Sequence, residues 1–292
     1  MAISTGDTLT TSLADSLNDM VATARNTRDR TVVMPGLVRR EKLSEGTGMS
    51  WKQIQLGQAT AQRVTETTTL NNPQQHTDTA LSITPTMIGY HSFISDATGR
   101  RIDKKVFGKL GVIPGQAMQK LIDYDGFLAI DSFTNSLCGT GSTLTSGYIA
   151  TAAARIRGNT TEEGPEPINA VFHDYGIKDL WDELVAGVGT YVLTQGRTAE
   201  VFANGFQGMI NGVKVHRGNV PIDSTPDSKG GVFSKNAIIL VEGFPIKKET
   251  QRDASKGGGG TNLYMYYEYA YGEDSAGNWG YEVMHDATTP TS

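Results

Sequence analysis

The residue types that could do chemistry are few and poorly spaced for it. Asp123-Tyr124-Asp125 has the form of an Asp-x-Asp metal pair. Two positions apart on a helix point to different faces, so these carboxylates read as solvent- or interface-facing charges. The five histidines, His76, His91, His173, His216 and His285, show no His-x-x-x-His spacing and no adjacent helical Glu/His pair. Gly257 to Gly260 would cradle a phosphate only if Lys-Ser/Thr followed and opened a helix; Thr261-Asn262 leads instead into a strand pattern. The run from Gly139 to Gly147 fails similarly, because it follows a helix pattern. No Gly-x-Ser-x-Gly elbow occurs. Cys138, the single cysteine, offers neither a disulfide nor a thiolate cluster and reads as a small buried apolar residue at the end of the longest helical pattern. The expectation is a non-enzyme with no catalytic residue, no cofactor and no metal.

Composition points the same way. The chain has 292 residues, of which 38% are hydrophobic and 34 are glycine, which suits one large or two modest domains with much loop and extended surface. A formal charge of −5 argues against tight nucleic-acid binding, so any DNA would be contained rather than read. No stretch approaches the apolar length of a membrane helix. Met1 to Asp7 lack the basic flank and apolar run of a signal peptide, and a soluble, non-exported chain is expected.

The elements that must position these residues follow from periodicity. Leu9, Leu13, Leu17, Met20, Val21 and Ala24 recur at helical spacing. A basic stretch follows, with Arg25, Arg28, Arg30, Arg39, Arg40 and Lys42 against Asp29 and Glu41, broken by Pro35-Gly36. It reads either as a solvated linker or as an arm lying across an acidic neighbour. From Trp51 to about Ile94 the pattern is strand-like, with Ile54 and Leu56 alternating, Thr65 to Thr69 β-branched, and Thr79 to Ile83 alternating again. Between these arms lies a polar tip, Leu70-Asn71-Asn72-Pro73-Gln74-Gln75-His76. A two-stranded ribbon with so little apolar surface is marginal alone and needs a second subunit to lean on.

Ile102, Val106 and Leu110 share a face of a short helix. Pro114 suits the first turn of a longer one carrying Ala117, Met118, Leu121, Ile122, Leu128, Ala129 and Phe133. If helical to Leu137, it is about 36 Å long, with Gly126 marking a bend. Tyr148, Ile149, Ala152, Ala153 and Ile156 define another helix, stopped at Gly158-Asn159. Ile168 to His173 is a strand, and Asp174 caps a helix with the stripe Ile177, Leu180, Trp181, Leu184 and Val185, ended by Gly187 and Gly189. Asn211-Gly212 predicts a type I′ hairpin, and Ala237 to Glu242 a buried strand. Gly257 to Gly260 read as a flexible joint, after which Leu263 to Tyr271 and Tyr281 to His285 form an aromatic strand and its return.

This order of elements resembles the coat proteins of tailed bacteriophages with the Hong Kong 97-type fold. Wording within it strengthens the resemblance: Val64-Thr65-Glu66 through Asn71-Asn72-Pro73-Gln74-Gln75, Leu81-Ser82-Ile83-Thr84-Pro85-Thr86, Ala117-Met118-Gln119-Lys120-Leu121-Ile122-Asp123, Leu144-Thr145-Ser146-Gly147-Tyr148-Ile149-Ala150 and Tyr269-Ala270-Tyr271-Gly272. It implies an α+β chain with an N-terminal arm (1–48), an extended β-loop (49–96), a peripheral domain with a spine helix (97–140), an axial α/β domain (141–260) and peripheral return strands with a tail (261–292).

The resemblance further implies a major capsid subunit of the virion head, present in host cytoplasm before assembly. Its partners would be copies of itself in pentamers and hexamers, a portal, separate scaffolding or decoration proteins, and packaged double-stranded DNA held non-specifically. Arg25, Arg28, Arg30, Arg39, Arg40, Asn71, Asn72, Gln74, Gln75 and His76 are the inter-subunit contact candidates. No scaffold-like segment precedes the arm, so scaffolding would be a separate chain. Some relatives weld subunits through a loop lysine; Val64 to Gly99 contains none, which predicts a non-covalent shell. An encapsulin-like nanocompartment shell, a tail-tube protein and a soluble enzyme with a dispersed site are the alternatives.

Overall fold

A computed structural model describes residues 32–46, 48–67, 73–101, 112–188 (backbone only for 184–188), 208–274 and 278–291. The helical readings of 9–24 and 102–110 lie outside them, as do Arg25, Arg28, Arg30, Asn71 and Asn72.

Two sheets share one long helix. Helix α1 (Met34–Leu37) leads into β1 (Arg39–Lys42); a ribbon of β2 (Trp51–Leu56) and β3 (Asp78–Ile83) precedes β4 (Thr86–Ser95) and α2 (Asp96–Arg101). The long helix α3 (Ile113–Asp131) and β5 (Ser136–Cys138) follow. Next come α4 (Ser146–Arg157), β6 (Ile168–His173), α5 (Asp174–Val188), β7 (Met209–Ile210), β8 (Val213–Gly218) and β9 (Asp227–Ser234). The chain closes with β10 (Ile238–Asp253), β11 (Gly260–Glu273) and β12 (Gly280–Asp286). One sheet has the order β1-β10-β11-β4, the other β5-β12-β9-β6-β8-β7.

Period-2 alternation divides the six-stranded sheet between two cores. Val171 and Phe233 face α3, meeting Phe127, Ile130 and Phe133. Ala170, Phe172, Val232 and Val283 face α4 and α5, meeting Ile149, Ala152, Ala153, Ile156, Ile177 and Leu180. The far side of α3 packs on the four-stranded sheet through Tyr267 and Tyr269. Such a helix must be apolar on more than one face, which is why its stripe is broad.

Several expectations hold. The hairpin turn at Asn211 and Gly212 has φ of 48° and 79°, the positive pair that a type I′ turn requires. Pro114 sits in the first turn of α3, and Gly158 caps α4.

Others are corrected. The long helix stops at Asp131, so it spans roughly 28 Å rather than 36 Å. The chain turns there because Ser136–Cys138, with Cys138 at φ 69° and half-buried, is taken up as a parallel edge strand beside β12. Gly126 marks a close approach rather than a bend: a Cβ there would lie 2.7 Å from Met34 Cβ. Gly257 to Gly259 form the tip of the β10–β11 hairpin, with Gly258 and Gly259 at φ 89° and 75°, not a joint between domains. The return strand does not pair with β11. It crosses at Asp274, whose N–H donates to Ala237 O (2.8 Å), and β12 enters the other sheet between β5 and β9. Strand pairing thus cuts across the expected boundary at residue 260: β10 belongs with β11 and β4, whereas β12 belongs with β6 and β9.

Candidate interaction surface

The end of the basic arm is integrated into its own subunit. Met34 and Val38 are buried, and β1 pairs in parallel with β10, Arg39 opposite Ile239. Asp123 helps fasten the chain there. Its Oδ1 accepts from the backbone N–H groups of Val33 (2.9 Å) and Met34 (2.8 Å), and burial holds its carboxyl above the usual carboxylate range. Asp123 is therefore a buried acceptor, correcting its reading as a surface charge. Asp125 accepts from the Tyr269 hydroxyl at 2.6 Å, and burial pushes that phenol well up. Arg39 bonds Glu41 (2.7 Å) and Gln53 (3.0 Å) and lies over the Trp51 ring, while Arg40 donates to Pro35 O (2.6 Å).

The ribbon's apolar packing is confined to its root. Ile83 packs with Ile239 and Val241, with Trp51, Leu43 and Leu81 beside them. Strands β2 and β3 then pair antiparallel from Trp51–Ile83 to Leu56–Asp78, and Gly57 N–H continues to Thr77 O at 2.7 Å. Past that point the described residues make no strand: 57–67 and 73–77 are exposed and irregular, so Thr65 to Thr67 do not extend the ladder. Gln74 clasps the backbone of Thr60, its Oε1 accepting from Thr60 N–H at 2.8 Å. Gln75 and His76 are exposed.

The ribbon's alternation is inverted relative to a normal half-buried strand. Trp51, Gln53 and Gln55 face the body, whereas Lys52, Ile54 and Leu56 face solvent. Gln55 Nε2 donates to Asp274 Oδ1 (2.5 Å), Gln58 bonds Thr161 O, and a cleft of about 470 Å³ beneath is lined by Arg39, Gln53, Asn236 and Trp279 among others. Outside, Ile54 is 67% exposed, Leu56 79% and Val64 53%. A sheet face that puts amides inward and aliphatics outward leaves the aliphatics in water unless another molecule covers them. Sequence reading found the alternation at Ile54 and Leu56 but not its direction, since a one-residue slip in facing leaves the pattern unchanged.

Three of the histidines are packed into the fold. His91 stacks on Tyr264 with centroids 4.6 Å apart, and His173 Nδ1 accepts from Tyr175 N–H. His285 lies fully buried against Phe172, and burial lowers its pKa to about 4. Among the described residues, no three His, Cys, Asp or Glu side chains are grouped to hold a metal, and no helix is long and apolar enough to cross a membrane.

No protein-family model matches the chain, and no curated protein matches its sequence. Solved structures do match it. The capsid structure of the cyanophage P-SCSP1u aligns with a TM-score of 0.70 at 14% identity, over 95% of this chain and 95% of that one. The acidic stable capsid structure of Helicobacter pylori bacteriophage KHP30 gives 0.69 at 11% identity, over 92% and 95%. Mycobacterium phage Che8 gives 0.67 at 14%, over 89% and 93%. The chain has the phage capsid fold. Agreement over nearly the full length of both partners covers both sheets and the long helix, and it accords with the Hong Kong 97-type resemblance in the sequence.

Proposed function

We propose that this chain is a major capsid subunit, structural rather than catalytic, that closes into a phage head through contacts of its extended ribbon with neighbouring copies. The observation that carries this reading is the outward aliphatic face of the ribbon, Ile54 and Leu56, on a chain with a capsid fold. A heterologous contact repeated around an axis closes rings, here pentamers and hexamers, and rings joined at their edges close a shell. A specific interface buries roughly 1,600 Å² in total, and several per subunit give stability by avidity. Within residues 49–96 the β2–β3 ribbon acts as the extended loop while β4 belongs to the four-stranded sheet; the α3 region acts as the spine of a peripheral domain and the six-stranded sheet with α4 and α5 as the axial domain.

Arg25, Arg28 and Arg30 meet an acidic neighbour; Asn71, Asn72, Gln74, Gln75 and His76 form the contacting tip. Arg39 and Arg40 are engaged within their own subunit: Arg39 bonds Gln53 and so helps set the ribbon's direction, and Arg40 bonds Pro35 O in the arm. The shell is non-covalent and encloses double-stranded DNA without sequence-specific contact, with a portal and scaffolding or decoration proteins as its further partners.

Negative-stain micrographs of purified protein test this. Closed spherical shells are expected, and the double variant Ile54→Asp/Leu56→Asp should remain a folded, soluble subunit. Tubes would favour a tail-tube part, shells lacking DNA around a cargo enzyme an encapsulin-like compartment, and shells unaffected by the double variant would remove the ribbon from the mechanism. Ladders in denaturing gels of mature particles would overturn the non-covalent assignment.

A further inference from the structure

Helix α3 carries an apolar stripe that the body does not cover. Met118, Ile122, Phe127 and Ile130 point into the core, yet Ile113, Leu121, Tyr124 and Leu128 are 40%, 41%, 45% and 43% exposed, and Ala117 between them is exposed as well. Read in order, 113, 117, 121, 124 and 128 are spaced 4, 4, 3 and 4, a seam of the kind one helix offers another. Leu9, Leu13, Leu17, Met20 and Ala24 have the same spacings in the same order. We infer that the seam on α3 is the docking site for the amphipathic segment Thr8 to Ala24 of the same chain.

Two observations point to that occupant. The first is the matched spacing, which lets these five residues of the segment meet the seam of α3 at the pitch of two packed helices. The second is the tether. Val33 and Met34 are fastened to Asp123, in the middle of α3, by the hydrogen bonds described above. Residues 25–32 are the only chain between that anchor and Ala24. Eight residues reach roughly 28 Å when extended, against a helix diameter of about 10–12 Å, so the segment can pass round α3 to its outer face. A short tether also raises the local concentration of the segment above that of any free copy. This goes beyond the capsid reading, and it is tested on unassembled protein.

A Cys138→Ala background carrying Ser16→Cys and Lys120→Cys is treated with a short bismaleimide. Cross-linked product of monomer size is expected, lost on adding Leu13→Asp/Leu17→Asp or Leu121→Asp/Leu128→Asp. Amide exchange over residues 10–24 should be at least tenfold faster in the Leu121→Asp/Leu128→Asp protein than in the parent, with circular dichroism showing that the body is intact. A dimer-sized product from mixed single-cysteine proteins, without the monomer-sized one, would overturn the assignment to the same chain. Absent cross-links with equal exchange rates would overturn the docking itself. Shell formation, scored separately by micrograph, reports on the capsid reading and not on this one.

Discussion

Strands β2 and β6 are both six residues long and are folded by opposite means. Ile168–His173 is buried at every position, whereas Trp51–Leu56 has no buried position and turns its aliphatics outward. In β6 the near-continuous apolar run lets both faces be covered, by α3 on one side and by α4 and α5 on the other. In β2 the side chains toward the body are Trp51 and two glutamines, which make specific hydrogen bonds but exclude little water. One region is built to hold a subunit together; the other contributes little stability to its own subunit and leaves its aliphatic side chains open to solvent.

The contrast is sharpest in the core. Phe172→Ala should cost about 3–5 kcal/mol in urea unfolding, because the cavity opens between β6 and the α4 side where nothing can collapse into it. Next comes pH. With His285 at about 4 in the folded protein and 6.5 unfolded, the unfolded chain binds more protons between those values, so stability falls as pH drops through that window. The full loss is roughly 3 kcal/mol, and His285→Asn should flatten the slope of unfolding free energy between pH 7 and 4.5 even if it lowers stability overall. Asp123→Ala leaves two N–H donors without their acceptor and should cost about 1–3 kcal/mol, read as a lower thermal midpoint. The smallest effect is expected on the ribbon: Ile54→Ser/Leu56→Ser should change stability by less than about 0.5 kcal/mol while abolishing shells in micrographs. A large stability loss there would break the comparison, since it would mean the aliphatics are covered within one chain.

The same contrast decides where the arm can be cut. Deleting everything before Arg39 would remove buried Met34 and Val38 and damage the body itself. Removing residues 1–31 keeps those side chains and the bonds of Val33 and Met34 to Asp123.

Local periodicity and turn chemistry, as printed in the sequence, determined most elements of this protein: α4, β6, the start of α5, the Asn211-Gly212 turn and the first turn of α3 at Pro114. Each depends on neighbours a few residues away. The fold resemblance was legible for the same reason, through the order of those elements. Only the tertiary structure decided which side of β2 faces inward, that Asp123 is buried beneath the arm, and that β12 leaves β11 to join the other sheet. Alternation fixes two faces but cannot say which is covered, and a carboxylate's burial depends on donors supplied from 89 and 90 residues away. Those are long-range facts, carried by packing rather than by spacing.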